Sequence, residues 1–267
     1  MSNATLEPWG SGHAYEQYVG RRSCQVAVEF IRWLAPRPGL AWADVGCGTG
    51  ALTSAIVTSC EPLSVRGIDS SEGFVSQARQ SGSDQRACFE TGDATHLPWD
   101  GAVSDVTVSG LVLNFVRDHE AMTREMARVT RSGGLVAAYV WDYAGGMQMM
   151  RQFWDAAIAA SPNDAKLDQA ERFPLCQPEP LQALFEGAGL KSVTVRAIDI
   201  PTVFQNFDDD WQPFLGRTGS APTYLYLASV DDEVREQIRL HLKARLAAAQ
   251  SGPIELTARA WAVKGTV

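Results

Sequence analysis

The chain has 267 residues, of which 45% are hydrophobic and 20% are charged. It can therefore bury a full core, and a mainly disordered chain is excluded. Its 23 basic and 31 acidic side chains give a net charge of −8, and because nucleic-acid binding requires a positive surface, we expect no nucleic-acid partner.

Targeting and disulfide signals are missing from the sequence. The longest apolar run, 135–141, has about seven residues, whereas a membrane-spanning helix needs about 20. The N-terminus has no basic residues followed by an apolar stretch, which a secretory signal requires. Five cysteines, an odd number without a closely spaced pair, indicate neither a disulfide framework nor a Cys-x-x-Cys metal site. We expect a cytoplasmic protein with no membrane span and no metal.

Strands and helices alternate along most of the chain. Apolar residues at helical spacing predict a first helix over 22–34, and residues 1–39 are interpreted as an N-terminal lid and helix. The predicted strands, in chain order, are 40–45, 64–69, 87–90, 103–109, 135–141, 192–200 and 254–263. Further helices are predicted near 52–56, 74–78, 122–129, 181–188 and 234–246. This alternation indicates a doubly wound, mostly parallel α/β sheet.

The segment 201–250 differs from the rest of the chain. It contains six aromatic residues and a helix whose apolar residues recur from Val234 to Leu246. It lies between the last two predicted strands, so we interpret it as a helical cap inserted into the domain 40–267, not as a separate domain.

A glycine-rich turn follows the first predicted strand. Gly46, Gly48 and Gly50 allow a tight turn and a close approach of the backbone to a ligand. The same pattern also fits a dinucleotide site. Asp44 argues against a dinucleotide site, because a carboxylate at the end of a buried strand repels a pyrophosphate and attracts a ligand ammonium group. The alternative is that Asp44 caps the glycine turn.

Acidic and small residues also follow the next predicted strands. Asp69 ends the second strand, where a carboxylate accepts hydrogen bonds from ribose hydroxyls; a helix N-cap is the alternative. After the third strand, the Asp93 carboxylate can accept a hydrogen bond from an exocyclic amino group of a ligand, and the Ala94 N–H group can donate one to a ring nitrogen. Ser109 and Leu111 follow the fourth strand, where backbone groups would line the same site. The carboxyl ends of parallel strands share one edge, so these residues form one predicted site.

Four motifs along the chain resemble one family. They are 43–50, 67–70, 92–99 and 127–134, which read ADVGCGTG, GIDS, GDATHLPW and ARVTRSGG. Together they closely resemble the class I S-adenosylmethionine-dependent methyltransferases, in particular the type 11 group that includes ubiquinone and menaquinone methyltransferases. The resemblance implies a seven-stranded sheet with an antiparallel last strand, S-adenosylmethionine as cofactor and a small-molecule acceptor.

The resemblance also implies a set of site residues. The cofactor-binding set is Tyr18, Asp44, Gly46, Gly48, Gly50, Asp69, Ser70, Asp93, Ala94, Ser109 and Leu111. The N-terminal segment folds over the cofactor in this family, and His13 within it is the candidate base. The predicted acceptor pocket is formed by Asn114, Trp141, Tyr143 and Phe214.

One departure from the family bears on catalysis. Many relatives carry a His-His pair after the fourth strand, where this chain has Asn114 and Phe115. The resemblance therefore assigns no acid–base residue here. Methyl transfer is an in-line displacement in which alignment alone supplies about 7–11 kcal/mol, and a general base is needed only when the acceptor is protonated.

Three other functions are alternatives to a small-molecule methyltransferase. A nicotinamide-dependent oxidoreductase is disfavoured by Asp44, by the Gly-Asp-Ala segment 92–94 and by the lack of a Tyr-x-x-x-Lys pair. A methyltransferase for DNA, RNA or protein is disfavoured by the acidic charge and by missing motifs. A non-catalytic S-adenosylmethionine-binding protein stays open. We predict an O- or C-directed small-molecule methyltransferase, with a homodimer left open.

Overall fold

Seven strands form one sheet in the computed structural model, which describes residues 21–82, 84–215, 222–247 and 252–267. The sheet order is β3-β2-β1-β4-β5-β7-β6. The strands are β1 Ala41–Val45, β2 Ser64–Asp69, β3 Ala87–Thr91, β4 Ser104–Gly110, β5 Thr130–Trp141, β6 Lys191–Phe204 and β7 Ile254–Thr266. Strands β1 to β5 pair in parallel, and β7 is antiparallel to both β5 and β6. The predicted seven-stranded, mostly parallel fold is confirmed.

Helices connect the strands and pack on the sheet. They are α1 Arg21–Leu34, α2 Ala51–Ser59, α3 Glu72–Ser81, α4 His119–Val129, α5 Gln148–Ala160, α6 Gln169–Arg172, α7 Pro178–Gly187, α8 Phe207–Leu215, α9 Pro222–Ser229 and α10 Asp232–Ala247. Two short 3₁₀ helices cover Leu113–Phe115 and Pro162–Leu167. Among the helices described, none has the length and apolar character needed to cross a bilayer.

The central strands are the most deeply buried. Trp42, Ala43 and Val45 of β1 and Val108 of β4 are almost completely buried, as expected for strands covered on both faces. Asp44 lies in register with Gly67 of β2 and Val108 of β4. The register therefore brings the carboxyl ends of β1, β2 and β4 to the same edge of the sheet.

Strand β6 is longer than the sequence indicated. It continues through Pro201 to Phe204 instead of ending at Ile200, and Phe204 pairs with Ile254 of β7. Proline usually stops a strand because it has no N–H group, but it is tolerated at a sheet edge. Because β6 is an edge strand, its pairing with β7 continues past Pro201. The first helix of the segment predicted as a cap therefore begins only at Phe207.

The cap rests on a helix that was not predicted. Helix α5 follows β5, and its side chains Phe153 and Trp154 are fully buried. Phe153 stacks on Phe214 of α8 with 4.5 Å between ring centroids, and Trp154 lies 5.3 Å from the ring of Tyr226 in α9. These aromatic contacts join the helices on either side of β6 into one layer.

Candidate functional site

The loop after β1 is shaped by three glycines in the left-handed region of backbone space. Their φ angles are +78° at Gly46, +54° at Gly48 and +93° at Gly50, values that strain other residues. A Cβ atom at Gly46 would lie 2.5 Å from Cγ1 of Val112, which belongs to the loop after β4. By contrast, no described atom lies within 4 Å of the Cβ position at Gly48. The loop is therefore packed against the loop after β4 at Gly46, whereas no described side chain packs on it at Gly48.

Helix α2 begins directly at this loop. Gly50 is its N-cap residue, and no side-chain hydrogen bond caps the helix there. The first N–H groups of a helix lack partners within the helix and carry a partial positive charge. They therefore offer hydrogen-bond donors to a ligand above the glycine loop.

Asp44, at the end of β1, is a fully buried carboxyl group. Its Oδ2 accepts a hydrogen bond of 2.7 Å from Oγ1 of Thr53 in α2, and its Oδ1 has no hydrogen-bond partner in the part of the chain that the structure describes. Burial raises the pKa of Asp44 to about 7. Both the hydroxyl and the backbone N–H group of Thr53 lower the pKa of Asp44 and so oppose the effect of burial. Asp44 therefore holds the first turn of α2, and the capping alternative stays open beside a ligand role. A buried carboxylate oxygen without a partner is costly, so it favours a cationic group.

Asp69 ties the glycine loop to the end of β2. Its Oδ2 accepts from the Gly48 N–H group at 3.0 Å, and its Oδ1 accepts from the Ser71 N–H group at 2.9 Å. Burial raises the pKa of Asp69, and these backbone hydrogen bonds oppose the shift. Ser71, whose Oγ accepts from the Phe74 N–H group, is the N-cap of α3. Asp69 is therefore not that N-cap, and Ser70 beside it is exposed.

The loop after β3 lies next to Asp69. The Gly92 N–H group donates to the Asp69 carbonyl at 3.0 Å. Asp93 is exposed, and its Oδ1 accepts from both the N–H and the hydroxyl group of Thr95 at 2.8 Å. These bonds hold the pKa of Asp93 below its usual value. The structure thus places an ionised carboxylate, followed by Ala94, at the same edge.

The end of β4 combines backbone strain with buried polar atoms. Leu111 has φ +62°, and its N–H group donates to the Tyr139 carbonyl of β5 at 2.8 Å. Such a conformation is rare for leucine and is characteristic of functional sites. The Ser109 hydroxyl oxygen and the Asn114 Nδ2 atom are buried, and no described residue forms a hydrogen bond with either. Both lie close in the chain to Val112, which contacts the glycine loop.

The end of β5 adds aromatic side chains. Trp141 and Tyr143 are 4% and 6% exposed. The ring of Tyr143 lies 5.5 Å from that of Phe173, which lies 5.2 Å from that of Phe115. Phe173 follows α6 and was missed by the sequence analysis, because nothing in the local sequence relates it to the strand ends. The structure brings it beside the predicted acceptor residues.

Three more predicted site residues complete the set: Phe214, whose role in the acceptor pocket stays a prediction, and the candidate base His13 and cofactor residue Tyr18, which lie outside the described residues. The Phe214 side chain is fully buried and stacks on Phe153, so it is a core residue of the cap. The run of aromatic residues in this segment indicated a pocket, and the unpredicted helix α5 packs against Phe214 there. His13 and Tyr18 precede residue 21, where the described part of the chain begins.

Comparisons with known proteins extend these observations. Residues 43–138 match the family model described as a methyltransferase domain, and this range includes the glycine loop and the carboxyl ends of β2, β3 and β4. Demethylmenaquinone methyltransferase of Staphylococcus aureus (strain JH9) is 29% identical over 173 residues, which cover 60% of this chain and 72% of the relative.

Two solved structures share the fold. The YcgJ protein from Bacillus subtilis superposes with a TM-score of 0.57 at 16% identity, covering 92% of this chain and 98% of that protein. Phosphoethanolamine N-methyltransferase 2 of Haemonchus contortus, solved in complex with S-adenosyl-L-methionine, gives a TM-score of 0.58 at 14% identity. That match covers 96% of this chain and 56% of the other.

Proposed function

From the premise that this chain is an S-adenosylmethionine-dependent methyltransferase of class I, we propose that it methylates a small molecule at oxygen or carbon. The observation that carries the proposed site is the buried Asp44 Oδ1 atom, which has no hydrogen-bond partner among the described residues and lies just before the glycine loop. We further propose that 1–39 forms a lid and helix, and that the cap belongs to the domain 40–267.

The residues at the edge of the sheet fit this cofactor. A ligand ammonium group would give the buried Asp44 carboxylate a positively charged partner, whereas a pyrophosphate would be repelled by it. Gly46, Gly48 and Gly50 let the backbone approach the amino-acid part of the cofactor. When bound, S-adenosylmethionine supplies a methyl group activated by a sulfonium.

The adenosine end of the cofactor is assigned to the loops after β2 and β3. Asp69 accepts backbone hydrogen bonds from Gly48 and Ser71, and the Ser70 N–H group also lowers its pKa. A carboxylate has about four lone pairs, so it retains one for a ribose hydroxyl. Ser70 is exposed beside it. Asp93 is ionised and accepts at Oδ1 from Thr95, so the other oxygen suits an amino group, with Ala94 next to the ring.

The chain contributes mainly by positioning the reactants. Asp44 and Asp69 hold the two ends of the cofactor, while the strained backbone at Leu111 and the buried Ser109 fix the wall beside the methyl group. Holding the reacting atoms in line supplies about 7–11 kcal/mol of the barrier reduction. Tyr18 as a closing residue and His13 as a base for protonated acceptors remain part of the proposal.

The acceptor is proposed to lie between the ends of β4 and β5, against Asn114, Trp141 and Tyr143. The aromatic surroundings of these residues suit a small planar or lipophilic compound. The name of the Staphylococcus aureus relative gives independent support, because that enzyme acts on a quinone-type molecule. The net charge of −8 disfavours a nucleic-acid substrate.

Ligand-induced stabilisation tests the cofactor part of the proposal. S-adenosylhomocysteine should raise the melting temperature in a concentration-dependent way, because it binds only the folded chain. NADH is the control and should leave the melting temperature unchanged. A shift with NADH but none with S-adenosylhomocysteine would contradict the site assignment.

Transfer of a labelled methyl group tests the acceptor part. The panel contains phenols, quinols, carboxylates and amines, each incubated with the protein and labelled S-adenosylmethionine. Product on the oxygen or carbon acceptors supports the proposal. Product on amines alone would refute it, as would S-adenosylhomocysteine binding without turnover anywhere in the panel.

A further inference from the structure

Three aromatic rings form a continuous row at the ends of β4 and β5. Phe115 and Phe173 meet edge to face at 5.2 Å, and Phe173 and Tyr143 lie 5.5 Å apart. Phe115 and Phe173 are partly exposed, and Tyr143 is buried. The guanidinium carbon of Arg172, an exposed residue, lies 5.2 Å from the centroid of the Phe173 ring. This aromatic row therefore has a cation at its rim.

One amide donor comes directly before Phe115 of the aromatic row. Asn114 is 6% exposed, and among the described residues its Nδ2 atom has no hydrogen-bond partner. Asp142, which follows β5, accepts at Oδ1 from the Gly145 N–H group at 3.2 Å and at Oδ2 from the Gly146 N–H group at 2.9 Å. A buried amide donor of this kind suits a ligand that accepts hydrogen bonds.

The aromatic row is linked to the glycine loop through the residues after β4. Val112 packs against Gly46 of the glycine loop, and Asn114 and Phe115 follow it within one 3₁₀ turn. Leu111, on the other side of Val112, is hydrogen-bonded to Tyr139 of β5. A ligand on the row would therefore lie between the glycine loop and the end of β5.

We propose that this row is the acceptor subsite and that it takes a planar ring bearing an anionic oxygen, such as an aromatic carboxylate or a phenolate. Phe115, Phe173 and Tyr143 pack against the ring, while Arg172 and Asn114 hold the oxygen. This assignment rests on the proposed small-molecule methyltransferase function and narrows its substrate class.

An anionic acceptor also explains how transfer proceeds without a base on the row. The acceptor oxygen forms the new O–C bond as the S–C bond breaks, and the bonding electron pair stays on sulfur. The negative charge of the acceptor and the positive charge of the sulfonium cancel, so no proton has to be removed. An ammonium-bearing acceptor would instead have to lose a proton and would be repelled by Arg172.

The proposed substrate class is tested by measuring how tightly three matched probes bind to the protein saturated with S-adenosylhomocysteine. These are 2-naphthoate, its non-planar analogue decahydro-2-naphthoate, and the planar cation 2-naphthylmethylamine. Calorimetry should show the tightest binding for 2-naphthoate, at least about tenfold tighter than for either analogue, because only this probe uses both the rings and the cation.

Substitutions of the named residues test whether they cause the preference for 2-naphthoate. Arg172→Gln should weaken 2-naphthoate binding about tenfold, and Arg172→Lys should recover most of the loss because it keeps the charge. Phe173→Leu should abolish the preference for the planar acid over its saturated analogue. Arg32→Gln, at an exposed arginine of α1 paired with Glu29, is the control and should change nothing.

The outcomes separate this inference from the proposed function. If S-adenosylhomocysteine binds but 2-naphthoate does not, or if neither Arg172→Gln nor Phe173→Leu alters naphthoate binding, the acceptor subsite is wrong and the cofactor site stands. If S-adenosylhomocysteine itself fails to bind, the proposed function falls. Unchanged melting temperatures of the variants establish that they are folded, and Arg172→Lys decides the charge effect if Arg172→Gln does not fold.

Discussion

The Asp44 carboxyl group is fully buried, and its burial ties the stability of the folded chain to pH. Its pKa is raised to about 7 in the folded protein but stays near 3.9 in an unfolded chain. Between about pH 4 and pH 7 the folded state therefore holds a proton that the unfolded state has lost. The contribution of Asp44 to the free energy of unfolding falls as the pH rises through this window.

Asp44→Asn should remove this pH dependence. Without ligand, the variant should match the wild type near pH 4.5 and exceed its free energy of unfolding by ~2–4 kcal/mol at pH 8, since asparagine is never ionised. Urea unfolding at both pH values measures the difference. Asp210 is also buried, with a pKa raised to about 7. It is present in both proteins, so its contribution to the pH dependence cancels in the difference between them. A difference that does not vary with pH would contradict this account.

Asp69 and Asp93 differ in what their removal should do. Asp69 holds the Gly48 and Ser71 N–H groups, so Asp69→Asn should lower the melting temperature and also raise the dissociation constant of S-adenosylmethionine at least about tenfold. Asp93 is exposed, so Asp93→Asn should weaken cofactor binding with a smaller loss of stability. Calorimetry and thermal melts separate the two effects. Unchanged affinity in both variants would refute the adenosine contacts.

At the scale of the element, the glycine loop and the loop after β4 depend on each other. Gly46→Ala introduces a Cβ atom 2.5 Å from Val112 at a φ of +78°, so it combines a clash with backbone strain. Gly48→Ala has the strain, at φ +54°, but no described atom within 4 Å. Backbone strain of this kind is of order 1–3 kcal/mol, and the clash at Gly46 adds to it.

Chemical denaturation should therefore show a larger loss of stability for Gly46→Ala than for Gly48→Ala. Adding Val112→Ala to Gly46→Ala should recover part of the loss, because the two atoms no longer collide. Equal losses for the two glycine variants, or no recovery in the double variant, would show that the loops do not touch as described.

The element boundaries show what sequence patterns can predict. Strand β2 was predicted as 64–69 and is Ser64–Asp69, because its branched residues Val65 and Ile68 are buried in the sheet and the strand ends at an acidic residue. Strand β6 was predicted too short because Pro201 resembles a terminator, and only its place at the sheet edge explains why pairing continues. Edge position depends on the order of all the strands, which local sequence does not contain.

The cap was predicted less well than the sheet. Helix α5 does carry a helical pattern, with buried Met149, Met150, Phe153 and Trp154, so its existence was predictable. Its packing against Phe214 was not, because that contact joins segments far apart in the chain. The same holds for Phe173, which reaches the site only through tertiary folding.

At the scale of the whole molecule, the sheet register creates the site. Parallel pairing puts the ends of β1, β2, β3 and β4 at one edge, so acids widely spaced in the sequence become neighbours. Three of the motifs were recognisable because each lies at a strand end, as the rule for open α/β sheets requires; the fourth, 127–134, joins the end of α4 to the beginning of β5. The acceptor side has no such rule, since Phe115, Tyr143 and Phe173 come from three separate loops that meet only in the folded chain.

The central claim, that Asp44 receives the ammonium group of the cofactor, is tested most directly by a pair of ligands. S-adenosylmethionine carries the amino-acid part, and 5′-methylthioadenosine lacks it. Calorimetry at pH 7.5 should show that Asp44→Asn weakens S-adenosylmethionine binding at least about tenfold and leaves 5′-methylthioadenosine binding unchanged, while Asp210→Asn alters neither. Equal losses for both ligands, or no loss for S-adenosylmethionine, would contradict the claim.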